Sequence, residues 1–130
     1  MREIKYKYWD GEFKQMCNVR AIVWHNGIVA NIDLFDKKAL FRNPNMFYDH
    51  ALLQYTTRMD RNGVEIYEGD VVQFQYANLK KLIIAEVRWG LAGWGLLGRP
   101  GEGWWPSRYL LDSRCIVIGN IYENPDLLES

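Results

Sequence analysis

The sequence predicts a mainly β protein: a small SH3-like β-barrel core preceded by an N-terminal sheet of hairpins, with short helical turns. Three observations point there. Short alternating or β-branched runs recur along the chain, Gly/Asn/Asp turn signals fall between them, and no helical pattern lasts more than a few turns. Six Trp and eight Tyr add weight, because aromatic side chains favour strands and anchor interfaces.

Taken in order, Ile4, Tyr6 and Tyr8 alternate with Lys5 and Lys7, the period of a half-buried strand. Trp9-Asp10-Gly11-Glu12 supplies a turn, with Gly11 free to take positive φ. Phe13 to Val19 returns as a strand. Ala21–Trp24 and Ile28–Leu34 then flank His25-Asn26-Gly27, and Asn-Gly favours the type I′ turn of a tight hairpin. Asp36 to Arg42 reads as one or two helical turns capped by Asp36 and ended at Asn43-Pro44. This break divides the chain into an N-terminal hairpin region, 1–50, and a C-terminal barrel core, 51–130, which can also form one compact unit.

The densest stretch is Leu52–Phe74. Leu52–Tyr55 enters the core, Asp60-Arg61-Asn62-Gly63 turns, and Val64–Tyr67 is extended. Glu68-Gly69-Asp70 then turns the chain into Val71–Phe74. After a polar tip at Tyr76–Lys80, Leu82–Trp89 sets Ile83, Ala85, Val87 and Trp89 on one face and Glu86 and Arg88 on the other. Gly90–Trp94 reads as a hairpin turn and Gly98–Pro106 as a loop. Cys115–Ile118 makes a last strand, and Asn124-Pro125 starts a short helix with Asn as N-cap and Pro at its first position.

Composition excludes several function classes. Sixteen basic residues balance sixteen acidic ones, so no net field draws the chain to nucleic acid or an anionic membrane. Two cysteines, Cys17 and Cys115, make neither a disulfide scaffold nor a C-x-x-C site. The start Met-Arg-Glu-Ile-Lys lacks a signal-peptide pattern, and no apolar run reaches membrane-span length, so a cytoplasmic chain is expected.

A basic strand ending in Trp9-Asp10 is followed by Gln54-Tyr55-Thr56, Asp60-x-Asn62-Gly63 and Glu65-Ile66-Tyr67-Glu68-Gly69-Asp70-Val71-Val72. Ile118-Gly119-Asn120-Ile121-Tyr122-Glu123-Asn124-Pro125 closes the set. In this combination, spanning most of the chain, the sequence resembles the YopX family of bacteriophage and prophage proteins. Residues 20–50 and the Gly/Trp run at 90–106 lie outside the matching landmarks. The resemblance implies a β-rich fold with a barrel core, a phage or prophage origin, a bacterial host cytoplasm and no particular chemistry.

Gly93-Trp94-Gly95-Leu96-Leu97-Gly98 spells G-x-G-x-x-G, but Arg99-Pro100-Gly101 follows where a dinucleotide site needs a helix, so the run reads as a turn. Glu65 and Glu68 differ by an odd step and point to opposite strand faces, and Asp70 beside Gly69 reads as a turn-capping residue. His25, His50, Cys17 and Cys115 fall in no metal-binding or nucleophile motif. The expectation is therefore no catalytic, cofactor or metal site. Trp94, Arg99, Trp104, Trp105 and Arg108 are the interaction-surface candidates. They serve equally as the cover of an open core end or as a subunit interface. Stacking of nucleic-acid bases ranks third, for want of net positive charge. The expected function is a non-catalytic β-barrel interaction module that forms a homo-oligomer or contacts a phage or host protein. A nucleic-acid-binding small barrel is the alternative.

Overall fold

The computed structural model describes residues 5–35, 38–39, 50–76, 81–90, 93–110 and 114–129. The chain is mainly β and divides into two compact units, Lys5–Gln54 and the residues from Tyr55 onward. Each has its own buried cluster.

In the first unit, β1 (Tyr6–Asp10) lies between β2 (Gln15–His25) and the beginning of β5 (His50–Met59), antiparallel to both. Beyond β2 lie β3 (Ile28–Leu34) and then the two-residue β4 (Lys38–Ala39). Tyr8, Ile32 and Leu34 form the buried cluster, with Cys17, Val19 and Leu52 packed against it. The turn after β1 is set by Asp10, whose Oδ1 accepts the N–H groups of Glu12 and Phe13. Its positive φ falls on Lys14, at 54°, and not on Gly11 as expected. The carboxylate caps a turn whose positive φ falls three residues after the glycine. The strands expected at Phe13–Val19 and Ala21–Trp24 are one strand, β2, whose register shifts between Val19 and Ala21. At its end Asn26 and Gly27 take φ of 52° and 78°, the positive angles an Asn-Gly hairpin turn needs. The expected helical turns at 36–42 lie largely outside the described residues, and Lys38–Ala39 within them is strand.

In the second unit the later half of β5 pairs with β6 (Glu65–Tyr67). A separate sheet runs in the order β10-β9-β8-β7-β11. Its strands are β7 (Asp70–Gln75), β8 (Leu82–Gly90), β9 (Gly93–Gly98), β10 (Trp104–Pro106) and β11 (Cys115–Asn120). Short 3₁₀ turns at Ser107–Leu110 and Pro125–Leu128 complete the unit. Val72, Phe74, Ile83, Ala85, Val87, Leu96 and Cys115 fill one face of the sheet, closed by Ile66, Tyr109 and Leu110. Burying such side chains contributes roughly 1.5–3 kcal/mol each before chain entropy is counted.

The sheet is open rather than a closed barrel, since β10 and β11 stand at opposite ends of the strand order. The outer edge of β11 is taken instead by the β5–β6 turn. Arg61 donates its N–H to the Cys115 carbonyl at 2.9 Å, and Val117 donates to Asp60 Oδ2 at 2.9 Å. Asp60 Oδ1 meanwhile accepts from Asn62 and Val64, each at 2.8 Å. Asp60 is only 2% exposed. Burial alone would push its carboxyl up, but bonds from Val117, Val64 and Asn62 more than offset that and hold it below the ordinary range.

The remaining elements sharpen the sequence reading. Asp70 Oδ2 accepts the Tyr67 N–H at 2.8 Å across a turn whose Gly69 has φ of 86°. Asp70 is thus a turn cap, as expected. Glu86 was placed opposite the core-facing residues of β8, yet it is only 8% exposed and pairs with Arg88 at 2.9 Å. The C-terminal 3₁₀ turn packs on β8, and Leu127 and Asn124 sit against Gly119. Asn124 makes no side-chain cap to that turn; its Oδ1 accepts from Asn120 instead.

Candidate functional site

The tryptophan-rich end of the β8–β9 hairpin is built from the ladder upward. Antiparallel pairing sets Trp89 opposite Trp94, Val87 opposite Leu96 and Glu86 opposite Leu97. β10 then pairs Trp105 with Leu96 and Trp104 with Leu97. Because side chains alternate along strands, Trp105 falls on the core face with Leu96, and its neighbour Trp104 on the opposite face. Gly98–Pro106, expected as a loop, therefore contains a strand. A tight turn makes this feasible: Glu102 donates its N–H to the Arg99 carbonyl, and Gly98 donates to the Gly103 carbonyl, both at 2.8 Å.

Trp104 is 51% exposed and lies against a floor made by two glycines. A Cβ on Gly95 would fall 2.7 Å from Trp104 Cε2, and one on Gly90 would fall 2.9 Å from Cζ2. Only glycine leaves room for the indole to rest on the backbone at both positions. The G-x-G-x-x-G run is thus a strand, not a turn. Gly93 opens it at φ of 110°, Gly95 receives Trp104, and Gly98 receives Glu102.

Trp105 turns inward. Its ring packs edge-on against Phe74, Tyr76 and Tyr109, with centroids 5.4, 4.9 and 5.7 Å away. Tyr76, read as part of a polar tip, belongs to this aromatic cluster. Trp94 is half-buried against the core, and Trp89 meets it edge-to-face at 5.0 Å. Trp89 is itself 62% exposed, because the core ends before the strand does. Strand alternation alone placed it inside, so it was missed as a surface residue. Its position beside the Gly90–Gly93 hairpin end was the signal available.

The arginines have intramolecular partners. Arg99 donates through Nε and Nη2 to Glu102 Oε1, at 3.0 and 2.7 Å. Arg108 is exposed and sits over the Tyr109 ring at 5.2 Å. Of the five candidates, the structure joins Trp105 and Arg108 through Tyr109, sets Trp104 on the other sheet face, and ties Arg99 into its own turn.

Two further reactive groups belong to different units. His25 lies at the exposed end of β2 in the first unit. Cys115 is buried in the core of the second, where burial and the nearby Asp60 charge push its thiol up to about 11. Among the described residues no three His, Cys, Asp or Glu side chains gather as a metal group, and no helix is long and apolar enough to cross a membrane.

These features define a small two-unit β protein whose turns are pinned by buried aspartates and which exposes Trp89 and Trp104 near one hairpin end. The chain belongs to the YopX family, whose match, described as YopX protein, covers residues 5–129. The family resemblance carried by Leu52–Phe74 and the closing Ile118–Pro125 motif is thereby established. Among solved structures, the chain is similar to protein EF1440 from Enterococcus faecalis, with a TM-score of 0.65 and 23% identity. That match covers 99% of this chain and 100% of the other, and it speaks to the fold. No curated protein matches the chain.

Proposed function

We propose that the protein is a non-catalytic, phage- or prophage-encoded interaction module that acts by protein–protein contact and self-associates. The observation that carries this reading is the pair of exposed tryptophans held in fixed orientations at the β8–β9 hairpin end. Trp104 is held by its glycine floor, and Trp89 by Trp94. A large side chain that is already ordered loses little freedom on binding, and Trp is the residue type most enriched at energetic centres of interfaces. Light scattering across micromolar to millimolar concentrations tests it. The expected result is a mass above 15.4 kDa that rises with concentration. Trp104→Ser combined with Trp89→Ser should shift that curve to higher concentration. A constant monomer mass removes the self-association.

A nucleic-acid reading draws on one feature, the Trp104 ring, which presents an open face for base stacking. It is the weaker reading, because Arg99 is held by Glu102 rather than offered to phosphate. Salt-sensitive binding of single-stranded oligonucleotides that Trp104→Ala weakens would favour it. Absence of binding at low salt removes it.

A further inference from the structure

The two units treat their strand edges differently. In the second unit each edge has a device. β10 is three residues long and ends in Pro106, β11 is clipped by Asp60 and Arg61, and the Tyr67 N–H of β6 is taken by Asp70. In the first unit β2 is eleven residues long, and β1 pairs with it only over Gln15–Asn18. Past Asn18, β3 lines one edge of β2, and among the described residues no strand lines the other.

That edge, unpaired among the described residues, includes Ala21-Ile22-Val23-Trp24-His25, a segment with no Asp, Glu, Lys, Arg, Gly or Pro. Val23 is 52% and Trp24 55% exposed. Each register shift of the hairpin leaves the segment regular. Val19 and Ala21 face Leu34 and Asp33, which places the additional residue at Arg20, before the segment. Val23 and Trp24 face Asn31 and Val29, which places the other at Ala30 in β3. Arg20, the nearest charge, is paired with Asp33.

We propose that this edge of β2 is the site where a second copy of the chain adds antiparallel, about a two-fold axis through Val23. A two-fold contact brings each residue against its own surroundings, so a charged edge would repel itself. This one carries no charge to repel. The pairing puts Val23 against Val23 of the second copy and, twice over, Ile22 against Trp24, an aromatic–β-branched pair of the kind that stabilises antiparallel strands. It also gives ladder partners to the edge N–H and C=O groups of both strands that no described strand pairs. The contact uses none of the residues of the tryptophan surface in the second unit, and it shares with that reading the premise that the chain self-associates.

Sedimentation velocity on the wild type and Val23→Lys, together with oxidative crosslinking of Val23→Cys in a Cys17→Ser background, tests the proposal. The expected result is that wild type associates, Val23→Lys sediments as monomer at the same concentration with an unchanged circular-dichroism spectrum, and Val23→Cys forms a disulfide-linked dimer. Association undiminished in Val23→Lys, with no crosslink in Val23→Cys, overturns this edge and leaves the tryptophan surface standing. A wild type that stays monomeric overturns both. Should Val23→Lys fail to fold, the crosslink decides, since a cysteine alters an exposed position only slightly.

Discussion

Removing the Asp60 carboxylate should destabilise the second unit more than any other single change in its turns. Three backbone N–H groups converge on it. Asn62 and Val64 lie in the exposed turn, and Val117 lies in β11, fifty-seven residues along the chain. In Asp60→Ala the turn amides can recover water, while the Val117 amide, facing the side chain from the sheet, recovers it poorly. Bonds to a charged acceptor contribute about 1.5–3 kcal/mol each, and a stranded buried donor costs about 1–3 kcal/mol. With the turn amides largely rehydrated, the expected loss is about 2–4 kcal/mol. That is a large part of the 5–15 kcal/mol typical of a domain. Urea titration followed by tryptophan fluorescence measures it. The pH dependence gives a second reading. The folded pKa lies below 3.8, so the carboxylate stabilises the fold fully above that value, and the contribution is lost as pH falls through the folded pKa. Asp60→Asn, which cannot ionise, should therefore lose part of the wild type's acid sensitivity below pH 3.8. A loss under about 0.5 kcal/mol in Asp60→Ala, the range of ordinary surface changes, would refute the clip.

Other expectations follow from single contacts. Gly95→Ala should displace the Trp104 indole, seen as a shift of one indole N–H resonance with the remaining five largely unmoved. Gly119→Ala should push aside the Asn124 and Leu127 side chains and loosen the C-terminal 3₁₀ turn, because a Cβ there would lie 2.5 Å from Asn124 Oδ1 and 2.8 Å from Leu127 Cδ1. Faster exchange of the Leu127 and Glu129 amides, which bond within that turn, would report it. Cys115, with its thiol pushed up to about 11, should resist alkylation at neutral pH in the native state, while half-buried Cys17 reacts first.

The legible parts of this fold are those set by local backbone chemistry. Asn26-Gly27 states its hairpin because two positive φ angles are needed there, and Gly69-Asp70 states its turn for a similar reason. The alternation of Ile83, Ala85 and Val87 states the core face of β8. What could not be read depends on distant partners. β10 is a strand because β9 lies beside it, although its flanks read as loop. Glu86 is only 8% exposed and paired with Arg88, and the inside–outside alternation along β8, which sets it opposite the core face, does not announce that burial. The same limit governs the candidate surface. The Trp/Arg cluster at 94–108 was visible as composition. Its division into an inward Trp105, an outward Trp104 and an arginine held by Glu102 needed the register. Trp89 entered only once the end of the core was fixed.

The most direct test of the account is the mass of the full chain in solution by multi-angle light scattering, over a wide concentration range. A self-associating interaction module should exceed 15.4 kDa and climb with concentration, and it should fall back when Trp89 and Trp104 are replaced together. A mass fixed at 15.4 kDa throughout would contradict it.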